Sequence, residues 1–309
     1  MSSSSVVLNR SSRSSGHDDA PEPFLPPEII ENILHRVAND NPELTAALLL
    51  VSPWFFMSLQ ARLQEVVVLI WPSTSLKFLD ALRSQPNTLA KAVKALYISV
   101  FIDRGIAAQI LQACSGVTDI ACWLSDPFAL IGMAGLRPQH LALPIATGHS
   151  PSNIINFNKP FFTGVTHLSI AEDSFLWKQW DWTAFRLLPK LTHVQLQLPI
   201  LDAMHPESAH ASVFRILGIL PKLEVLLFHF LSRTRGPGTM AMTGVEAYCA
   251  GLRMLGDPRC VFRAAPHPKT IRKEVQETAF RQWDRWRWAE EVVEEQKREL
   301  VMSGPVAFF

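Results

Sequence analysis

The sequence predicts an α/β chain in which a small N-terminal three-helix domain precedes an irregular solenoid with parallel strands, closed by a C-terminal capping helix. Three observations carry that reading. Hydrophobic residues make up 48% of the chain and charged residues 18%, below the roughly 25% charged content of an average globular protein, so much of the chain is destined for burial. Short β-like segments alternate with helical ones between residues 94 and 264. Helical apolar stripes stand at both ends of that region, at 24–37 and 270–301.

The start, "MSSSSVVLNRSSRSSGHDDAPEP", has a run of just three apolar residues, short of the 7–15 of a secretory signal, and residues 1–23 are expected to form a disordered Ser-rich tail. Cys114, Cys122, Cys249 and Cys260 are scattered, with neither a C-x-x-C pair nor zinc-ligand spacing, which suits a reducing compartment. The aliphatic runs "AALLLV" and "VVVLIW" fall short of the ~18 residues that span a bilayer. A cytoplasmic or nuclear protein with no membrane partner is the expectation. Twenty-nine basic residues against 28 acidic ones leave no field to steer a nucleic acid.

The first domain is expected over 24–70. In "FLPPEIIENILHRV" Pro26 and Pro27 stand where a helix start needs no N–H, and Glu28 puts negative charge in the first turn. Ile29, Ile30, Ile33, Leu34 and Val37 then form one apolar face. A second helix, from Leu44 to Val51, ends before Ser52-Pro53 because proline disfavours helical geometry in the preceding residue. The third starts at Pro53, carries Trp54, Phe55, Phe56, Leu59 and Leu63, and leads into the strand-like "VVVLI" at 66–70. So small a unit buries little core of its own and wants a partner or a neighbouring domain.

Leu25-Pro26-x-Glu28-Ile29, then Ile33-Leu34, then Leu50-Val51-Ser52 resembles an F-box. The pattern departs from that family where Phe55 stands three residues after the serine and the tryptophan is Trp54. The resemblance implies docking on the Skp-type adaptor of a cullin-RING (SCF-type) ubiquitin ligase through Leu25, Pro26, Ile29, Ile33, Leu34, Val51, Trp54 and Phe55. The alternative is a helical subdomain that binds nothing.

From 71 to 265 the expected strands are 94–100, 117–124, 137–145, 165–172, 190–198, 222–230 and 259–264. Their inward anchors are Leu96, Ile120, Leu141, Leu168, Val194, Leu226 and Val261, mostly spaced near the 20–29 residues of a leucine-rich repeat. "LLPKLTHVQL" and "ILPKLEVLLF" are near copies. Helical stretches between them ("GIAAQILQAC", "DPFALIGMAG", "WTAFRLLP", "ASVFRILGILP", "VEAYCAGLRML") supply the crossovers that parallel strands need. The asparagine of the leucine-rich-repeat consensus is missing, and a compact α/β domain is the alternative.

Residues 266–309 hold the last helix. "FRQWDRWRWAEEVVEEQKREL" mixes tryptophans with Arg281, Arg285 and Arg287, as single-strand binders do. The following Glu290, Glu291, Glu294 and Glu295 would repel phosphates, and the stripe through Ile271, Val275, Ala279, Trp286, Ala289, Val293 and Leu300 reads as a terminal cap, with Trp286 and Val293 packed near Val261 and Phe262. Over 24–300 the chain resembles the mushroom-type (Agaricomycete) F-box proteins, through "PPEI", "FLDALRSQPNTLAKAVKALYI", "FFTGVTHLSI", "LLPKLTHVQL", "LEVLL", "DPRCVF" and the tryptophan-rich helix.

No nucleophile elbow, P-loop, H-E-x-x-H or dinucleotide fingerprint is present, so neither an enzyme nor a cofactor is expected. His140, His167 and His193 each precede a strand anchor and should form a column on the outward sheet face. With Tyr97, Ser169, Gln195 and Leu227 they are the candidate target-binding surface. No metal is expected there, since Asp119 is the single carboxylate in an equivalent position. The function that follows is a substrate receptor joining an unidentified protein target to a ubiquitin ligase. A repeat scaffold without a ligase role is the alternative, and a hydrolase ranks last.

Overall fold

Eight parallel strands hydrogen-bond in strictly sequential order in the computed structural model of the chain. It describes residues 25–40, 47–48, 50–86, 88–124, 135–145, 155–172, 180–200, 206–232, 242–253, 256–266 and 271–302. The Ser-rich tail, half of the expected second helix and all of "DPFALIGMAG" but its last glycine lie outside the described residues.

The chain divides into two units, Met1–Gln60 and Ala61–Phe309. In the first, α1 (Pro27–Asp40) begins at the double proline, with the amides of Ile29 and Ile30 donating to the Pro26 carbonyl. Helix α2 (Pro53–Glu65) begins at the expected proline, where Ser52 Oγ accepts from the Phe55 amide at 3.1 Å. Leu34 and Leu59 are buried. "VVVL" is the first strand of the sheet and falls within the second unit.

The strands are β1 (Val66–Leu69), β2 (Ala95–Ile98), β3 (Asp119–Cys122), β4 (His140–Ile145), β5 (His167–Glu172), β6 (His193–Ile200), β7 (Val225–Ser232) and β8 (Cys260–Pro266). Helices α3 (Pro72–Ser84), α4 (Leu89–Ala92), α5 (Arg104–Ala113), α6 (Pro206–Ile219) and α7 (Met242–Arg253) lie in the connections. Asp103 starts α5 by accepting from the amides of Gly105 and Ile106 at 2.8 and 3.1 Å. "WTAFRL", expected as part of a helical stretch, is a 3-10 helix at Trp182–Leu187. A second 3-10 helix at Pro160–Gly164 passes so close to the preceding connection that a Cβ on Gly164 would lie 3.1 Å from the Pro138 carbonyl oxygen. Short parallel strands with helical returns, added in sequence, are compatible with an α/β solenoid.

The register decides which residues share a face. Leu96, Ile120, Leu141, Leu168, Val194 and Leu226 are paired neighbours across β2 to β7, as the anchors require. All six belong to the main core. The seventh is corrected. Cys260 pairs with Leu226 and joins the core, whereas Val261 pairs with Leu227 and faces the other side. Phenylalanines thicken the core at its C-terminal end, with Phe228 stacked on Phe262 and Phe230 at 5.3 and 5.9 Å between centroids.

The opposite face is not open. Helix α8 (Ile271–Met302) contacts β7 and β8 and also β1 and β2. Seven inter-strand steps span ~34 Å, and a helix of 32 residues is ~48 Å long. It can therefore cross the whole sheet, and it packs as a strap over the face instead of a cap on the last repeat. Trp286, Ala289 and Val293 form a second core with Val225, Leu227 and Val261. Phe262, expected beside Trp286, is on the far side with Phe228. No described helix is long and apolar enough to cross a membrane.

Candidate functional site

On the face under α8 the strands place Ala95, Asp119, His140, His167, His193 and Val225 in one row. The next row outward along the strands is Tyr97, Ala121, Ala142, Ser169, Gln195, Leu227 and Val261. Sequence reasoning put the three histidines in adjacent register, and they are: ring centroids are 4.4 Å apart from His140 to His167 and 4.0 Å, nearly parallel, from His167 to His193.

The expectation that this face is exposed is overturned. His140 and His193 are each 5% exposed, Tyr97, Ser169, Gln195 and Leu227 are buried, and His167 is half-buried. The Trp286 indole stands edge-on to His167 and His193 at 5.2 and 5.6 Å. A signal for this cover was present in the second row, where Ala121, Ala142 and Ser169 give the low surface that a closely packed helix needs.

Each end of the histidine row meets a carboxylate. His140 Nδ1 is 2.8 Å from Asp119 Oδ1, whose other oxygen accepts from Thr118 Oγ1 at 2.6 Å. At the far end His193 Nε2 is 3.2 Å from Glu290 Oε1 on α8. The sequence pattern anticipated Asp119 but not Glu290, whose approach depends on where α8 lies. Threonines before the histidines fix the rings: Thr166 Oγ1 lies 2.8 Å from His167 Nδ1, and Thr192 Oγ1 lies 2.8 Å from His193 Nδ1. The same hydroxyls donate to the carbonyls of Gln139 and Thr166 on the preceding strands at 3.2 and 3.4 Å. Each hydroxyl can donate to the ring nitrogen or accept from it, so these contacts orient the two rings whichever nitrogen carries the proton.

Burial, with the neighbouring His193 and His140 adding to it, pushes the His167 pKa down to about 3. Burial and His140 take His193 down to about 4. Both rings are therefore neutral at pH 7, the form in which imidazole is a ligand or hydrogen-bond partner and not a cation.

A different surface stays uncovered in the first unit. Leu25, Ile29 and Ile33, spaced by four, are 52%, 45% and 48% exposed. Pro26, Val51, Leu50 and Phe56 are exposed as well, and Trp54 and Phe55 are half-buried. Leu34, expected on the same docking face, is instead buried. In the second unit, Trp71 and Phe101 stack with centroids 5.4 Å apart just beyond the C-terminal ends of β1 and β2, and both are exposed, as are Leu76 and Val100. No family model, curated protein or solved structure matches the chain.

Proposed function

We propose that the chain is an F-box-type substrate receptor that holds the Skp-type adaptor of a cullin-RING ubiquitin ligase through its first unit and a protein target through the second. The observation that supports the reading is the exposed apolar set Ile29 and Ile33 on α1 with Leu25 just before it. Large aliphatic groups left half-exposed at helical spacing favour a partner over water by about 25 cal/mol for each Å² covered. The F-box resemblance of the same residues names the partner class, and an irregular leucine-rich-repeat-like second unit suits a receptor whose strands and helices present a target.

The target surface assigned from the sequence is withdrawn, since α8 covers it. The exposed aromatic pair Trp71 and Phe101, with Leu76 and Val100 near it in sequence, is the patch of the second unit that suits this role.

Ile29→Asp together with Ile33→Asp is the direct test, because both side chains are exposed and their exchange leaves the buried Leu34 and Leu59 in place. Co-purification with the adaptor should be lost, by about 10-fold or more for each anchor removed. Adaptor binding that survives both changes leaves a repeat scaffold without a ligase role.

A further inference from the structure

We infer that His167, His193 and Glu290 form a binding site for a zinc-class divalent cation that joins the sheet to α8. One ring nitrogen of each histidine and one carboxylate oxygen lie within 4.8 Å of one another. Three separate elements, β5, β6 and α8, bring them together. Tetrahedral zinc with ligand arms of about 2.0–2.1 Å needs its donors ~3.4 Å apart, so side-chain rotations of about 1 Å complete the site.

The contact between His193 and Glu290 points to a cation in its own right. His193 is buried, and its Nε2 makes no hydrogen bond although Glu290 Oε1 is 3.2 Å away. In the tautomer whose proton is on Nδ1, the Nε2 lone pair faces the Glu290 carboxylate oxygen, so both atoms offer electron pairs toward the same point. A cation between them takes a bond from each. Threonine contacts at Nδ1 of both rings hold the ring planes, as hydrogen-bonding partners behind metal-binding histidines do.

Two imidazoles and one carboxylate suit zinc and its neighbours in the first transition row more than magnesium or calcium, which prefer oxygen donors. Glu290 is half-exposed at the rim of a shallow hollow lined by Arg287, Glu291, Glu294, Glu295 and Arg298, which admits the ion and leaves a position for water. Trp286 walls off the other side. Asp119 and His140, already paired, flank the site without being needed as ligands.

The test uses the full chain, stripped with chelator. Zinc is titrated in by calorimetry, and cobalt(II) is added separately to read the visible absorption of a low-coordinate nitrogen and oxygen site. One equivalent should bind, the cobalt bands should appear, and zinc should raise the unfolding temperature. Glu290→Gln keeps the shape of a half-exposed side chain, should leave the metal-free unfolding temperature within a few degrees, and should weaken zinc by about 10-fold or more. Glu294→Gln, one turn further on and paired with Lys297, should bind zinc as the parent does. Absence of heat and of cobalt bands in the parent overturns the inference. So does zinc binding that Glu290→Gln leaves intact.

Discussion

His229 lies on the α8 side of β7, next to Gln197 of β6 and Arg263 of β8 in the pairing register. It is buried, and burial together with the positive charges of Arg285 on α8 and Arg263 pushes its pKa down to about 3. In the unfolded chain the same ring titrates near 6.5. Between those values the unfolded state holds a proton that the folded state lacks, so stability declines as pH falls below about 6.5, by up to about 1.4 kcal/mol per pH unit from this ring. Above 6.5 the ring is neutral in both states and contributes no slope. His229→Leu should flatten that part of the acid limb, read as the difference between urea midpoints of parent and variant from pH 7 to pH 4. Equal slopes would mean that the ring is protonated in place. At this scale the sequence showed the three aligned imidazoles, because a period of two within strands and a repeat between them fix their row. It could not show Glu290 against His193, since the rotation and height of a helix distant in sequence settle that contact.

Helix α8 shows what a side-chain pattern leaves undetermined. Its stripe through Trp286, Ala289 and Val293 was legible, and so was its approach to Val261. Its path across the sheet was not, because amphipathicity says that one side must be covered and not what covers it. The one-residue slip at β8 has a related cause. Cys260, Val261 and Phe262 are all buried, two toward the main core and one toward α8, so the strand reads as a continuous apolar run with no alternation to set its register. Trp286 touches both the histidine row and the second core, and replacing it by alanine should cost about 3–5 kcal/mol in equilibrium unfolding. Trp288, half-exposed and set against the Arg263 guanidinium at 5.1 Å, should cost about 1 kcal/mol or less when replaced by leucine. Equal losses for the two would contradict α8 packing through the Trp286 face. The reverse order would place the helix half a turn round from where it lies.

A sheet whose strands pair only with their chain neighbours is close to one-dimensional. In such arrays each repeat is stabilised by the next, and the ends can open independently of one another. The repeat spacing made parallel strands with helical crossovers legible in the sequence, although its unequal intervals left a compact α/β domain open as well. The unit boundary at Gln60 was less legible, as the apolar run 66–70 follows α2 directly and reads as its continuation. The strap alters the expected behaviour of the array. By contacting β1 and β2 as well as β7 and β8, α8 couples the two ends, so opening either end exposes apolar surface shared with the other. Amide exchange in β1, β2, β7 and β8 should therefore share one free energy of opening and one dependence on denaturant in the parent chain. Loosening the strap with Trp286→Ala should separate the two ends, giving β1 and β2 a lower opening energy than β6 and β7, and the denaturant slope of the main transition should fall together with its midpoint. A change that removed packing alone would move the midpoint and leave the slope as it was. If exchange at the two ends already differs in the parent, or if Trp286→Ala shifts the midpoint without the slope, the helix packs on the sheet without making it one cooperative unit.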